Sequence, residues 1–225
     1  MENKEKVSIT FMILGIVFTS CLIVSNILAF KVISIGPFTA TTAMFLFPIS
    51  YILNDVITEV WGFSKARILI WCGFGVNFLS ILFFQMAIEA PASEFWPHQE
   101  AFQTVLGSTP RIAASSLCGF LAGSFTNSLI MSKMKVASQG RHFFQRAMVS
   151  TIFGEFSDSL FFFTLCFAFI LPFTEIVKMI FFQTAAKTLF EAFVLPFTRI
   201  IVKKIKKAEQ LDTFDNNKDY KIIAF

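Results

Sequence analysis

Reactive side chains are scarce in this chain. Only two histidines and four cysteines occur, and Cys21, Cys72, Cys118 and Cys166 each lie in a different apolar run with no CxxC or Cys/His spacing. Neither a disulfide framework nor a zinc site follows from that pattern, and the thiols read as small hydrophobes. There is no HExxH, no GxSxG and no glycine-rich phosphate loop, which argues against metalloprotease, hydrolase and nucleotide-hydrolysing chemistry. Charge is sparse too, at 15% of residues. What fills the chain instead is hydrocarbon: 55% hydrophobic residues, 32 of them phenylalanine, and a mean hydropathy of +0.68. One soluble core of this size cannot hide that much apolar surface, so the composition is that of a membrane protein.

A bilayer core takes about 20 predominantly apolar residues per helix. Six such stretches are predicted, at about 8–30, 39–60, 66–88, 111–132, 147–171 and 175–202, giving an all-α, polytopic, six-helix domain over 1–207. A connection at about 89–110 and a polar tail over 208–225 remain, the tail too short and polar to fold alone. The first run exceeds a signal-peptide core and reads as a retained helix. The net charge of +4 reflects topology rather than nucleic-acid binding. Lys4 and Lys6, Lys65 and Arg67, Lys133 to Arg146, and Lys203 to Lys207 fall at alternate span ends, whereas the other ends hold Lys31, Arg111 and Lys178 beside Glu89, Glu94 and Glu100. The positive-inside rule then places both termini in the cytoplasm. Phe95, Trp96 and Pro97 in the 89–110 connection are expected at the outer interface.

Asp55, Glu59, Glu155, Asp158, Lys187 and Glu191 all fall within spans, where each charge costs about 2.5–3.5 kcal/mol on insertion scales. In YILNDVITEVWG, Asp55 and Glu59 stand four apart on one helix face, joined by Asn54 and Thr58. Glu155 and Asp158 are three apart in GEFSD, and Gln183, Lys187 and Glu191 form a four-residue stripe. Mutual pairing is one reading, with Lys187 and Arg111 neutralising some carboxylates. It cannot satisfy five acids, so a polar cavity is the other. Asp55, Asp158 and Lys187 are expected to line it. Ser115, Gly119, Gly123 and Asn127 make a small-residue ridge that lets a second helix approach closely, with Asn127 placed both to pack and to touch a ligand. Ser25, Asn26 and Asn77 add polar groups from the first and third spans.

Taken together, SN at 25–26, DVITEVWG at 55–62 followed by ARILI, RIAASS at 111–116, STIFGEFSDS at 150–159 and AAKTLFEAFVLP at 185–196 resemble the queuosine precursor transporter (YhhQ/VUT) family, over about residues 10–205. The resemblance implies a small six-helix inner-membrane importer of 7-deazaguanines (preQ0, preQ1 or queuine) for tRNA modification. Its fold would be similar to the substrate-binding subunits of vitamin importers. The family's motif positions map onto Asn26, Asp55, Arg111, Asp158 and Lys187. Where many members have Gln and Asp in the fourth helix, this chain has Ser124 and Asn127, which removes a carboxylate and leaves the preferred precursor open.

The chemistry of such a base suits these residues. Its N1–H and exocyclic amine form an edge that Asp55 or Asp158 accepts, and its O6 takes a donor from Asn26, Lys187 or Asn127. Glu59 or Glu155 suits the cationic amine of preQ1 or queuine, and Arg111 and Gln183 complete the candidate set. Of the helical pair, Asp55 is expected to be the ionised partner of the base. Glu59 is expected to be a proton or cation site, or else a partner of Lys65 or Arg67. No cofactor, metal, nucleic-acid partner or catalytic residue is implied. The lipid bilayer and the small-molecule substrate are the expected partners, and a homo-oligomer stays open. Two rival functions remain, a substrate-capture subunit needing a separate ATPase and a membrane-embedded enzyme.

Overall fold

The computed structural model describes residues 8–29, 31–35, 38–107, 110–216 and 220–223. Six long helices follow the six apolar runs: α1 (Ile9–Leu28), α2 (Phe47–Trp61), α3 (Phe63–Glu89), then, after the short α4 (Gln99–Leu106), α5 (Pro110–Ala137), α6 (Phe143–Phe167) and α7 (Phe173–Glu209). The chain is an all-α polytopic membrane protein. Its one local departure among the described residues is a hairpin of β1 (Val32–Ile35) and β2 (Phe38–Thr41) with a 3-10 turn at Thr42–Phe45. That hairpin corrects the second predicted span: its first third, expected to be helical from 39, is strand and 3-10 turn, and the helix begins only at 47.

The shortened α2 is the centre of the molecule. Every residue from 50 to 60 is buried, because α1, α3, α5 and α7 all pack on it. Its sides divide the work. Leu53 and Ile57 join Phe18, Leu22, Ile70 and Phe120 in one apolar cluster, whereas Ile52, Val56 and Val60 meet Val202 of α7. The third side carries Tyr51, Asn54, Asp55, Thr58 and Glu59, all buried, and it faces α5 and α6.

Three described helices, α1, α3 and α6, are long and apolar enough to cross a bilayer by length and composition. The others carry more polar residues because they enclose the interior. Ile9, Ile16, Phe83, Met86, Leu189 and Phe193 all stand exposed, an outer apolar coat suited to acyl chains. At about 1.5 Å per residue, the 37 residues of α7 span about 55 Å, well beyond a hydrocarbon core of about 30 Å. Its last turns carry Lys203, Lys204, Lys206 and Lys207. That end, which also holds the α5–α6 turn, is the basic end. The opposite one, holding α4, is the loop end.

α5 and α6 form the tightest pair, as the small-residue ridge predicts. A Cβ on Gly154 would stand 2.8 Å from Asn127 Cβ and 3.1 Å from the Gly123 carbonyl, and one on Gly119 would stand 2.8 Å from Asp158 Oδ1. Only hydrogen fits there, so the backbones touch.

The tail does not hang free as a polar extension. Leading from α7, it folds back over the basic end, where the Thr213 amide donates to the Val60 carbonyl at 3.1 Å. Asp215 is buried and accepts from the Phe63 amide at 2.8 Å and the Ser132 hydroxyl at 2.5 Å. A carboxylate from the far end of the chain thus caps the N-terminus of α3, satisfying an orphan amide and matching the positive end of the helix dipole. Gly62 makes the junction, with φ at +81°, and a side chain there would strike that carboxylate.

Candidate functional site

The polar side of α2 meets α5, α6 and α7 in three layers, one helical turn apart. In the layer nearest the loop end, Lys187 of α7 reaches Asp158 at 2.6 Å and Glu155 at 2.9 Å, both on α6. The three-residue spacing of the acids puts both oxygens on the same side of α6, which is why one ammonium can hold both. Tyr51 of α2 adjoins this layer: its hydroxyl and Asp158 Cβ are the atoms a side chain on Gly123 would meet.

In the middle layer, Asn127 of α5 donates its amide to Asp55 Oδ1 at 2.7 Å, and Thr151 of α6 donates to Glu191 Oε1 of α7 at 2.7 Å. All four are buried, Asp55 and Asn127 completely. Their second acceptors, Asp55 Oδ2, Asn127 Oδ1 and Glu191 Oε2, have no hydrogen-bond partner among the described residues, nor does Tyr51 Oη.

The layer at the basic end is the most heavily paired. Arg146 of α6 takes Glu59 with two nitrogens, at 2.6 and 3.1 Å, and Lys206 of α7 adds 2.6 Å. Lys135 of α5 donates to the Glu59 carbonyl and to Asp212 of the tail, each at 2.5 Å, and Lys206 reaches Asp212 at 2.7 Å. Partial burial would raise the Asp212 carboxyl, but hydrogen bonds from Lys135 and Lys206 outweigh it and hold the group below the usual carboxylate range.

Glu155, Asp158 and Lys187 are thus brought together in one layer and Asp55 and Asn127 in the next. Glu59 is paired from helices other than α3, whose Lys65 and Arg67 end was the expected source. Its partners are Arg146, Lys135 and Lys206, and Arg67 instead donates to the Lys221 carbonyl of the tail at 2.7 Å. Arg111 does not reach inward to neutralise carboxylates. It is exposed and donates to the Leu165 and Ala168 carbonyls, closing the C-terminal end of α6. Asn26 donates to Asn77 at 2.6 Å in a narrow cleft toward the loop end, floored by Val105 and Leu106 of α4. Gln183 is half-buried one turn from Lys187 on α7. Of the residues expected to line a cavity, Asp55 and Asp158 are buried and Lys187 is half-buried.

The sequence alone passes over Tyr51, Thr151, Lys135 and Arg146. Tyr51 sits in an apolar run, and the two cations belong to basic clusters that topology already explains. A signal for Arg146 exists nonetheless: Glu59 lies near the basic end of α2, and a buried carboxylate there demands a cation from the facing helix.

The fold and its buried polar column define a polytopic helical membrane protein. The family described as "Putative vitamin uptake transporter" matches residues 41–201, well over half of the chain. The chain belongs to that family. A Bacillus subtilis (strain 168) protein named "Probable queuosine precursor transporter" is 25% identical over 152 residues, covering 66% of this chain and 65% of that protein. The match thus spans somewhat under two thirds of the relative's length. No solved structure matches.

Proposed function

We propose that the protein is an inner-membrane carrier that imports 7-deazaguanine queuosine precursors (preQ0, preQ1 or queuine), with its loop end outside and both termini in the cytoplasm. Membership of an uptake-transporter family and the name of the Bacillus relative support the class of activity. The charge asymmetry between span ends supports the orientation.

The observation that carries the substrate reading is the Lys187–Asp158–Glu155 layer. Along its Watson–Crick edge a 7-deazaguanine presents an acceptor, O6, beside two donors, N1–H and the exocyclic amine. Lys187 and Asp158 present the complementary donor and acceptor side by side. In the resting pair they satisfy one another; a base sliding between them exchanges each contact for one of its own, Lys187 to O6 and Asp158 to the donors. Glu155 then remains for the cationic amine of preQ1 or queuine. The base approaches past Asn26 and Gln183 on the loop side. Glu59, enclosed by Arg146, Lys135 and Lys206, closes the basic end, and Arg111 holds α6 in place without touching substrate.

Carriage needs no chemical step, and the residues of the column supply none. The test is uptake of each labelled precursor by liposomes holding the purified protein alone. Uptake is expected without added ATPase subunits, with D158N and K187M losing detectable binding of the base. Binding without uptake until ATPase subunits are added would make the protein a capture subunit, and conversion of the precursor would make it an enzyme. Absence of binding would end this reading.

A further inference from the structure

The middle layer holds chemistry that base recognition leaves unused. Asp55 and Glu191 feel each other's charge, and each has one oxygen taken by a neutral donor, Asn127 or Thr151. The groups left over are Asp55 Oδ2, Glu191 Oε2 and the Asn127 carbonyl, acceptors from three different helices. Tyr51 Oη, buried and also without a partner, lies within electrostatic reach of both carboxylates. One phenol proton cannot serve three buried acceptors, and those left over call for a positive charge.

The surrounding charges do not provide one. Above the layer, Lys187 already holds Asp158 and Glu155. Below it, Arg146 and Lys206 are held by Glu59, and Lys135 and Lys206 by Asp212. Tyr51 is neutral as a phenol. Two ionised carboxylates left this way would face each other in low dielectric without a counter-ion, an arrangement proteins avoid by binding a cation or a proton.

We infer that Asp55 and Glu191, with the Asn127 carbonyl and Tyr51 hydroxyl, form a monovalent-cation site, taking a proton or a sodium ion, directly beneath the substrate layer. Its occupancy is the coupling step of transport. With the cation bound, the middle layer is neutral and Lys187 keeps its resting acids. Its loss leaves fresh negative charge one turn from Lys187, drawing the ammonium away from a base bound above. Tight binding of the base and cation occupancy therefore favour each other, and by linkage each raises the other's affinity. This deepens the carrier reading and rests on it for the coupling, whereas the cation site itself stands on the geometry alone.

The site is tested without substrate first. Infrared difference spectra of the purified full-length protein between acid and alkaline pH are expected to show a buried protonated carboxyl that titrates. E191Q and D55N should each lose it. T151A, which removes a donor to the charged form of Glu191, should retain the band and move its midpoint upward; this variant keeps the test alive if the carboxamides misfold. If sodium ions abolish the band and raise thermal stability in native protein but not in E191Q, sodium occupies the site rather than a proton.

In liposomes, an inward gradient of the cation so identified should speed precursor uptake on the order of tenfold, and E191Q should keep binding the base while losing that response. A native protein with neither a protonated carboxyl nor any sodium response overturns the site. Gradient-driven uptake that persists in E191Q overturns its role in coupling. Native protein that shows the cation signature and binds no 7-deazaguanine would sink the substrate reading and leave the site standing.

Discussion

Arg146 and Glu59 lie on facing helices, and the guanidinium holds both carboxylate oxygens, at 2.6 and 3.1 Å, where neither side chain meets solvent. Two-point pairing fixes the rotation of α6 about α2, so the pair sets the register of the column as well as its charge.

Removing one member alone should be severe. R146A or E59Q is expected to lose about 3–5 kcal/mol, because the remaining partner stays buried and uncompensated. The double variant E59Q/R146M should recover a large part of that loss. Denaturant unfolding in detergent, arranged as a double-mutant cycle, measures it. Simple addition of the single losses would show that the two residues are not coupled.

The α5–α6 contact makes a second prediction. G154A places a methyl group 2.8 Å from Asn127 Cβ, so the helices must part. A cost of about 1–3 kcal/mol is expected, read as a lowered melting temperature. Half-buried Gly75, whose Cβ would meet nothing within 4 Å, should accept alanine without loss.

Acid should loosen the tail. The Asp212 carboxyl is held below its ordinary range by Lys135 and Lys206, so its contribution is fully present above the unfolded value and disappears as pH falls through the lowered folded one. Hydrogen exchange of residues 211–216 is expected to rise over that acid window, and D212N should show the faster exchange already at neutral pH. Equal protection of native and variant protein at all pH values would contradict the assignment.

Orientation can be read by labelling. Phe95 is 93% exposed beside α4, and Leu211 is exposed on the tail at the other end. In intact cells of a cysteine-free background, F95C should react with a membrane-impermeant maleimide and L211C should react only after lysis. The reverse pattern would invert the topology.

Much of the buried polar column is legible in the sequence, for one physical reason. Ionisable residues in apolar runs are costly, so Asp55, Asp158 and Lys187 stood out, and their three- and four-residue spacings gave the faces they share. Glu191 was visible in the same stripe, but spacing alone could not say that Thr151 would meet one oxygen and leave the other without a donor. Arg146 and Lys135 were hidden because cations at a span end need no further explanation. The hairpin is hidden too: VISI and FTAT are only four residues each and adjoin long hydrophobic runs, where period and composition do not separate strand from helix.

Asp215 caps a helix that begins 152 residues earlier in the chain. During synthesis α3 therefore waits through the next 152 residues with its first amide unsatisfied, and the α2–α3 corner becomes fixed only when the segment carrying Asp215 has left the ribosome. The order of assembly runs against the order of the sequence at this end: α5 and α7 must be in place before the corner between α2 and α3 can close. A protease that clipped the tail from the finished protein would return that corner to its nascent condition while the rest of the bundle stayed folded.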